Sequence, residues 1–345
     1  MKRWSRSNPN VCRRLLSLNV QPPTPNPIPT DQLDSFPSLV GRAIVLTGPT
    51  ASGKSSVAVE LAERIEAEII SLDSIAVYRE MDIGTAKPDD EQQSRVPHHL
   101  IDRVDPNQQF SVACYLQAAH AAVEDIEGRG RRVIFAGGTP MYLKGILRGF
   151  DPGPPADWEF RQAVERDVEK HGLAALWQRL QQVDPLAAHR IDPSDMRRMI
   201  RALEVAHLTG QPISHRQTQF DRRYDAEQCN VFHFSWNRTT LHQRIDRRVD
   251  QMFATGLVDE VKQLLKRWGS LSRTASQAVG YREVLQHLED ETDLTQTVDE
   301  VAAHTRQLAR RQETWFRSFH EIRSIQLDEP LDPAAIAERI ASELL

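Results

Sequence analysis

Residues 48–55 are the feature that most restricts the fold of this chain. They read Gly-Pro-Thr-Ala-Ser-Gly-Lys-Ser and match the phosphate-loop pattern G-x-x-x-x-G-K-[ST] at every fixed position. An apolar run at 43–46 precedes them, and helical periodicity follows from Ser55 to Glu66. This strand–loop–helix context favours a working phosphate loop over a glycine-rich turn without a ligand. The segment therefore predicts a site for a diphosphate or a triphosphate.

The chemistry expected of the phosphate loop follows from its backbone and its last two residues. The loop N–H groups and the N-terminus of the following helix attract anionic phosphate groups. Lys54 would add a positive charge, and the Ser55 hydroxyl would be a ligand for Mg²⁺, the predicted cofactor. The predicted phosphate-binding residues are Gly48, Pro49, Thr50, Ala51, Ser52, Gly53, Lys54 and Ser55.

Strands alternate with helices after the loop, which predicts a parallel α/β sheet. Residues 68–72 form a second apolar strand that ends at Asp73, and residues 133–136 form a third that leads into 137–139. Between them, residues 111–127 carry apolar side chains at helical intervals. Ligands of such sheets bind beyond the carboxyl ends of the strands. We therefore expect the phosphate loop, Asp73 and residues 137–139 to line one cleft.

The predicted architecture is α/β: a P-loop NTPase-like parallel sheet flanked by helices, with a small helical insertion domain. A chain of 345 residues, 40% of them hydrophobic, can bury a sizeable core. Proline and glycine at 151–157 are typical of a linker, and the apolar strand Val231–Trp236 returns the chain to the core. We predict a disordered N-terminal extension at 1–40, the first part of the core at 41–150, the helical insertion at 151–215, the second part of the core with C-terminal helices at 216–330, and a tail helix at 331–345.

Charge is distributed unevenly along the chain, whose formal net charge is −5. Residues 190–248 contain eleven arginines, no lysine and seven acidic residues. Residues 305–317 contain four arginines against Glu313 alone. The planar arginine donors suit phosphate groups, so two such excesses in one chain favour an anionic partner over ordinary solvated helix faces, although any single arginine could belong to such a face. Three scattered cysteines and no long apolar run predict a cytoplasmic protein without membrane contact. Residues 1–30 contain basic side chains and no acidic ones, a composition that also suits a transit peptide. We favour instead an imprecisely assigned start of the chain.

Asp73 has three interpretations from chemistry alone. A carboxylate at a strand end that faces a phosphate loop can bind Mg²⁺. It can also accept a proton from a nucleophile, or cap the segment that follows it. The pattern of residues leaves all three open.

Further motifs resemble those of a known family, the tRNA dimethylallyltransferases, over about residues 43–327. Many enzymes share the phosphate loop, but the segments at 81–88, 279–282 and 305–317 are peculiar to this family and occur here in the expected order. The other matching pieces are Asp73 and Ser74 with Tyr78, residues 97–102, residues 137–139, Arg198 with 201–205, and Arg244, Arg248 and Met252 with Gly256 and Leu257.

The resemblance implies a prenyl-transfer reaction. The dimethylallyl group of dimethylallyl diphosphate would pass to the exocyclic N6 amine of adenine 37, beside the anticodon of tRNAs that read codons beginning with U. The phosphate loop would then hold an isoprenoid diphosphate rather than a nucleotide. The implied partners are dimethylallyl diphosphate and the anticodon stem-loop of tRNA, which the insertion at 151–215 would bind. We expect a monomer.

The resemblance also implies roles for individual residues. Asp73 would take the amine proton, Arg248 would stabilise the departing diphosphate, and Thr139 would lie near the reacting adenine. By residue type alone, Arg248 would be a helix-surface ion pair with Asp246 or Asp250, and Thr139 an N-cap. The implied tRNA-binding residues are Asp73, Ser74, Ile75, Ala76, Thr139, Arg197, Arg198, Arg201, Gly280, Tyr281, Arg282, Arg306 and Arg310. Many members have Gln where this chain has Ala76, so one polar contact to RNA would differ.

Three other functions fit a phosphate loop. They are a small-molecule kinase that uses ATP, an isopentenyltransferase that acts on free adenine nucleotides, and a non-catalytic nucleotide-switch RNA binder. The helical insertion and the arginine-rich segments favour a macromolecular acceptor over the first two. An aspartate in an amine-activating position argues against the third.

Overall fold

The strands of this protein form one parallel sheet. The computed structural model describes residues 35–221, 223–290 and 293–344. Within these ranges the sheet has six strands in the order β3-β2-β4-β1-β5-β6, and every neighbouring pair is parallel. The strands are Ile44–Thr47 (β1), Ala67–Ser71 (β2), His98–His99 (β3), Arg132–Gly137 (β4), Val231–Trp236 (β5) and Arg323–Leu327 (β6). The predicted parallel α/β sheet is confirmed.

Strand β1 lies inside the sheet, which explains its apolar sequence. All four of its residues are buried, because helices cover both faces of a parallel sheet. Leu46 lies opposite Ala136 of β4 on one side and Phe232 of β5 on the other. The phosphate loop, which follows β1, therefore starts between two neighbouring strands at the carboxyl edge of the sheet.

Helices pack on both faces of the sheet. The helices of the described ranges are Lys54–Ile65 (α1), Asp90–Arg95 (α2), Val112–Gly128 (α3), Pro140–Arg148 (α4), Trp158–Val183 (α5), Pro185–Arg190 (α6), Met196–Thr209 (α7), Ile213–Arg216 (α8), Arg238–Ala254 (α9), Leu257–Trp268 (α10), Arg273–Ser276 (α11), Tyr281–Asp290 (α12), Leu294–Phe316 (α13) and Pro333–Ser342 (α14). Helices α1, α9, α13 and α14 cover one face, and α3 and α4 cover the other. Within those ranges, no helix combines the length and the apolar character that crossing a bilayer requires.

Two further apolar clusters lie away from the sheet. Helices α10, α11 and α12 pack with Tyr78 and Met81, which follow β2. Helices α5, α6 and α7, which lie within the predicted insertion, form a cluster that includes Leu180 and Met199. Helix α5 bends at Gly172, where φ is 79°, a value that glycine adopts without strain.

The beginning of the described chain is packed. Phe36 forms an antiparallel bridge with Phe150, and Leu39 is buried in the core. The predicted disordered extension at 1–40 therefore ends too late, because these apolar side chains find partners in the folded unit. Residues 1–34 of that prediction lie outside the described residues.

Candidate active site

Segments that are distant in the sequence meet at the carboxyl edge of the sheet. A cavity of about 180 Å³ is lined by Lys54 and Ser55 of the phosphate loop, by Asp73 after β2, and by Gly137 at the end of β4. Arg248 of α9 lines the same cavity. The cleft that the strand ends predict is therefore present, and helix α9 contributes a cation to it.

A second cavity, of about 540 Å³, adjoins the first. Lys54, Ser55 and Arg248 line both cavities, while Arg244 and Arg247 line the second. Glu329 lines the second cavity too and pairs with Arg244 at 2.7 Å and with Arg247 at 3.0 Å. Within the described residues, Lys54 and Arg248 therefore remain as the cations at the loop that have no ion pair, and their charge favours an anionic ligand.

The backbone of the phosphate loop depends on its two glycines. Gly48 has φ of 148° and Gly53 has φ of 86°. A Cβ atom at Gly48 would lie 2.8 Å from the carbonyl oxygen of Phe234, so glycine is required there. Helix α1 begins at Lys54, which places its N-terminus at the cavity. The partial positive charge of that end favours a bound phosphate.

Lys54 is held inside the loop by local groups. Its ammonium group donates to the carbonyl oxygen of Pro49 at 2.6 Å and to the hydroxyl of Ser52 at 3.1 Å. Burial lowers the pKa of Lys54 to about 7, the positive charge of Arg248 acts in the same direction, and the negative charge of Asp73 opposes both. An anionic ligand beside Lys54 would restore its full charge.

Asp73 caps the turn that follows β2. Its Oδ1 accepts the backbone N–H of Ile75 at 2.8 Å and that of Ala76 at 3.2 Å. The same side chain lines the cavity and lies near enough to Lys54 and Arg248 to influence the pKa of each. Capping holds the carboxylate at the cavity and leaves the metal and proton-transfer interpretations open.

Thr139 occupies the N-cap position of α4 but forms no side-chain hydrogen bond to that helix. Its Oγ1 instead accepts the backbone N–H of Ser74 at 3.1 Å, and its own N–H donates to the carbonyl oxygen of Leu72 at 3.1 Å. The backbone at Gly137 lies close to the backbone of Leu72, since a Cβ at Gly137 would lie 2.3 Å from the Leu72 carbonyl oxygen. Thr139 therefore supports the turn that carries Asp73.

Arg248 belongs to the cavity rather than to a surface ion pair. Its Nη2 donates to the carbonyl oxygen of Thr85 at 3.1 Å. Burial lowers the pKa of Arg248, and the negative charge of Asp73 opposes that shift. Asp246, a partner suggested by sequence spacing, pairs instead with Arg306. The interpretation of Arg248 as a surface partner of Asp246 is wrong.

Gln312 is a site residue that the sequence did not reveal. Its Oε1 accepts the backbone N–H of Thr50 at 2.9 Å, and its Nε2 donates to the carbonyl oxygen of Gly138 at 2.7 Å. The side chain therefore joins the phosphate loop to the end of β4. The one indication in the sequence that Gln312 belongs to the site was its position within the family-specific segment 305–317. A glutamine by itself does not predict this contact.

The arginines of α7 have different surroundings. Arg197 and Arg198 are exposed and line a groove of about 590 Å³. Arg201 is also on this groove, but it pairs with the fully buried Glu204 at 2.6 Å and donates to two carbonyl oxygens of the linker. Arg201 therefore ties the linker to α7, and the structure does not support the predicted RNA contact for it.

The predicted tRNA contacts at 280–282 are largely occupied within the protein. The ring of Tyr281 is fully buried, and its hydroxyl donates to Glu260 at 2.6 Å. The N–H of Gly280 donates to Glu283 at 2.7 Å, and Arg282 pairs with the same buried carboxylate. Folding encloses the side chain of Tyr281, and the tRNA contact implied for the segment 280–282 stays a prediction.

The remaining predicted contacts fall into two groups. Ile75 and Ala76 line the cavity, and Ala76 is only 5% exposed. Arg306 pairs with Asp246, whereas Arg310 is exposed and has no ion pair within the part of the chain that the structure describes. Arg310 is therefore better placed than Arg306 to meet an external anion.

The donor set near the phosphate loop fits Mg²⁺ only together with a phosphate ligand. No group of three or more His, Cys, Asp or Glu side chains within residues 35–221, 223–290 and 293–344 could hold a metal ion. Ser55 is exposed and lines both cavities. Mg²⁺ keeps several waters and commonly takes one or two protein ligands plus substrate phosphates. A single hydroxyl beside a phosphate site meets that description.

Comparison with known proteins gives consistent matches. Residues 76–319 match the family model described as IPP transferase. The chain is 56% identical over 305 residues to the tRNA dimethylallyltransferase of Rhodopirellula baltica, an alignment that covers 86% of this chain and 91% of that protein.

Solved structures with the same fold carry related names. The tRNA isopentenylpyrophosphate transferase of Bacillus halodurans is 37% identical with a TM-score of 0.62, covering 88% of this chain and 96% of that one. A eukaryotic dimethylallyltransferase acting on tRNA is 25% identical with a TM-score of 0.71, covering 87% of this chain and 77% of that one. These neighbours agree with the predicted P-loop NTPase-like fold.

Proposed function

The chain belongs to the IPP transferase family, and we propose that it is a tRNA dimethylallyltransferase. The proposed reaction transfers the dimethylallyl group of dimethylallyl diphosphate to the exocyclic N6 amine of adenine 37 in tRNAs that read codons beginning with U. Its products are N6-isopentenyladenosine and diphosphate. The proposal includes a monomeric, cytoplasmic enzyme, as expected from the sequence.

One observation carries the proposal: the phosphate loop and Asp73 line the same cavity. Prenyl transfer requires a site that neutralises a departing diphosphate and a nearby group that accepts a proton. Lys54 and Arg248 supply positive charge, and Asp73 supplies a carboxylate within reach of their electrostatic influence. The arrangement thus meets both requirements in one space.

The proposed reaction is a substitution at C1 of the dimethylallyl group. A bond forms between the amine nitrogen and C1 of the dimethylallyl group, while the bond from C1 to the diphosphate oxygen breaks. The electron pair of the broken bond leaves with diphosphate, where Lys54, Arg248 and the loop N–H groups would stabilise it. The amine loses one proton, which Asp73 would accept. Because Oδ1 of Asp73 is already held by two backbone N–H groups, the carboxylate is oriented before substrates bind.

Mg²⁺ is the proposed cofactor, held by the Ser55 hydroxyl together with diphosphate oxygens and water. When bound, it would neutralise part of the leaving-group charge. Lys54 would contribute to the same task, because its pKa of about 7 in the free protein rises when an anion binds beside it.

The acceptor adenine must leave its stack to reach the cavity. Enzymes that act on nucleic-acid bases extrude the target at a cost of a few kcal/mol, which contacts to the backbone help to offset. Arg197, Arg198 and Arg310 are the proposed phosphate contacts because they are exposed. Ser74 and Thr139, which support the turn around Asp73, are proposed to lie beside the extruded base.

The test is to incubate the purified protein with labelled dimethylallyl diphosphate and Mg²⁺, and with unmodified tRNA or AMP as acceptor. Transfer to tRNA, located by mass spectrometry at N6 of adenine 37, is the expected result. Transfer to AMP and not to tRNA would favour an isopentenyltransferase of free nucleotides. ATP turnover with a small acceptor and no prenyl transfer would favour a kinase.

A measurement in cells extends this test. Mass spectrometry of tRNA nucleosides from cells that lack the protein should show loss of N6-isopentenyladenosine. The set of tRNAs that lose it should be those that read codons beginning with U. Retention of the modified nucleoside in such cells would contradict the proposal.

A further inference from the structure

The loop at residues 81–88 is folded around a carboxylate from a distant helix. Glu260 of α10 accepts three successive backbone N–H groups, those of Asp82 at 3.0 Å, Ile83 at 2.8 Å and Gly84 at 3.4 Å. Converging backbone N–H groups of this kind form a concave anion site. Here the protein fills that site with its own carboxylate, which fixes the shape of the loop.

Tyr281 holds the same carboxylate from another side. Its hydroxyl donates to Oε1 of Glu260 at 2.6 Å. Its ring packs against Gly84, where an added Cβ would lie 2.4 Å from a ring carbon. Burial and the charge of Glu260 raise the pKa of Tyr281 well above its ordinary value, so the hydroxyl stays protonated and donates. Glu260, Tyr281 and the 81–88 loop are therefore one hydrogen-bonded unit.

This unit contacts Arg248 through Thr85. Thr85 follows the three clamped residues, and its carbonyl oxygen accepts a hydrogen bond from Nη2 of Arg248 at 3.1 Å. Lys87 closes the loop, because its buried ammonium group donates to the Tyr78 carbonyl oxygen at 2.6 Å and to Asp102 at 2.5 Å. The Thr85 carbonyl thus cannot move without disturbing contacts at both ends of the loop.

We propose that Glu260 is a positioning residue for Arg248 and acts through the carbonyl oxygen of Thr85. This inference rests on the proposed function, in which Arg248 stabilises the departing diphosphate. A guanidinium group has five N–H donors, so one bond to Thr85 orients it and leaves donors for the diphosphate. The proposal also explains two family-specific segments that carry no proposed chemistry: 81–88 supplies the carbonyl, and 279–282 supplies Tyr281.

The test is titration of the full chain with inorganic diphosphate, followed by steady-state kinetics. In Glu260→Gln, an NH2 group replaces one carboxylate oxygen and must face either the N–H groups of Asp82 and Ile83 or that of Gly84. We expect the dissociation constant of diphosphate and the KM for dimethylallyl diphosphate to rise about tenfold. Tyr281→Phe removes one hydrogen bond to Glu260 and should raise both about threefold. The dissociation constant of tRNA should stay unchanged in both variants.

Glu80→Gln is the matched control. Glu80 lies beside the same loop, but its carboxylate pairs with the exposed side chain of Arg267 at 2.6 Å and accepts the indole N–H of Trp268 at 3.3 Å, a bond that a glutamine oxygen can also accept. Both constants should stay at the wild-type values in this variant. A tenfold rise in Glu80→Gln as well would assign the effect to general loosening of the loop and overturn the proposal.

A double variant separates positioning from loss of stability. If Glu260 acts through Arg248, the combination of Glu260→Gln with Arg248→Lys should weaken diphosphate binding little more than Arg248→Lys does by itself. Additive effects, or a lower melting temperature with unchanged diphosphate binding in Glu260→Gln, would overturn the proposal. Diphosphate titration requires no transfer reaction, so the inference can fail while the wild-type protein prenylates tRNA. Absence of that prenylation would instead overturn the proposed function.

Discussion

The phosphate loop and helix α7 both present positive charge to a cavity, but they hold that charge in different ways. Lys54 is held by Pro49 and Ser52, its close neighbours in the chain. Arg201 is held by the carbonyl oxygen of Pro152, 49 residues away, whereas Arg198 is 61% exposed and, among the residues that the structure describes, pairs with Asp195 at the start of its own helix. A local motif can thus define the place of a cation, while on a helix the tertiary partners decide which arginines remain available.

On helix α13, too, a tertiary partner decides which arginine remains available. Arg306 is used inside the protein by Asp246, while Arg310, one turn further on, is exposed. The spacing of four residues puts both on one side of the helix, so the periodicity of the helix cannot separate them. The partner on α9 separates them.

The largest effect is expected from substitution of Asp73, whose carboxylate both caps a turn and is the proposed proton acceptor. Asp73→Asn keeps an oxygen that can accept the N–H groups of Ile75 and Ala76, but the amide cannot accept a proton from the amine. Turnover should fall about 100- to 10,000-fold while the affinities for diphosphate and tRNA stay near those of the wild type. Single-turnover transfer and separate binding titrations measure these quantities. Loss of diphosphate binding with normal turnover in the bound complex would show that Asp73 is a metal ligand or a structural residue.

The charge of Lys54 should make diphosphate binding depend on pH. The pKa of Lys54 is about 7 in the free protein, so the side chain is mostly neutral above that pH and must gain a proton when diphosphate binds. Affinity should therefore fall as pH rises above 7, by up to about tenfold per pH unit. Calorimetry at pH 8 in buffers of different ionisation enthalpy should show proton uptake attributable to Lys54.

Lys54→Met provides the control for that measurement. It should weaken diphosphate binding about tenfold or more at pH 7, because charge-assisted hydrogen bonds are lost. The protonation of diphosphate itself is the same in both proteins, so the difference in proton uptake isolates Lys54. Equal proton uptake by the variant would place the titrating group elsewhere.

A smaller effect is expected from the side chain that joins the loop to β4. Gln312→Ala leaves the N–H of Thr50 without its partner and frees the loop from Gly138. Diphosphate affinity should fall about fivefold, which is the scale of one neutral hydrogen bond. Gln307→Ala is the control, because Gln307 is an exposed glutamine on the same helix. Similar losses in both variants would mean that the contact of Gln312 does not support the loop.

The sequence predicted the features that are encoded locally. The glycines at 48 and 53, the apolar strand before them and the aspartate after β2 each impose a particular backbone or lie at a predictable strand end. Because parallel strands share a carboxyl edge, the meeting of Lys54 with Asp73 followed from the alternation of strands and helices. That part of the site could be placed without coordinates.

The rest depended on contacts between distant segments. Nothing in the residue type of Gln312 shows that it reaches Thr50, and nothing in the residue type of Tyr281 shows that its ring packs against Gly84. The packed segment at 36–40 was missed for the same reason, since Phe36 acquires its partners from distant residues, Phe150 through the backbone and His120 through its ring. Periodicity and motifs carry no information on such pairs.

The smallest effect is expected on helix α7, where substitution of two arginines tests most directly whether pairing within the protein decides which of them can bind RNA. Arg198→Gln removes an exposed charge on the groove and should weaken tRNA binding a few-fold while lowering the slope of log affinity against log salt by about one. Arg201→Gln should leave that slope unchanged, because its charge is already paired with Glu204. It should instead reduce the free energy of unfolding by about 1–3 kcal/mol, measured by urea denaturation, since the fully buried Glu204 loses one of its two arginine partners. A reduced salt slope in Arg201→Gln would mean that tRNA displaces Glu204 from Arg201, and an ion pair within the protein would then no longer mark which arginines are unavailable to RNA.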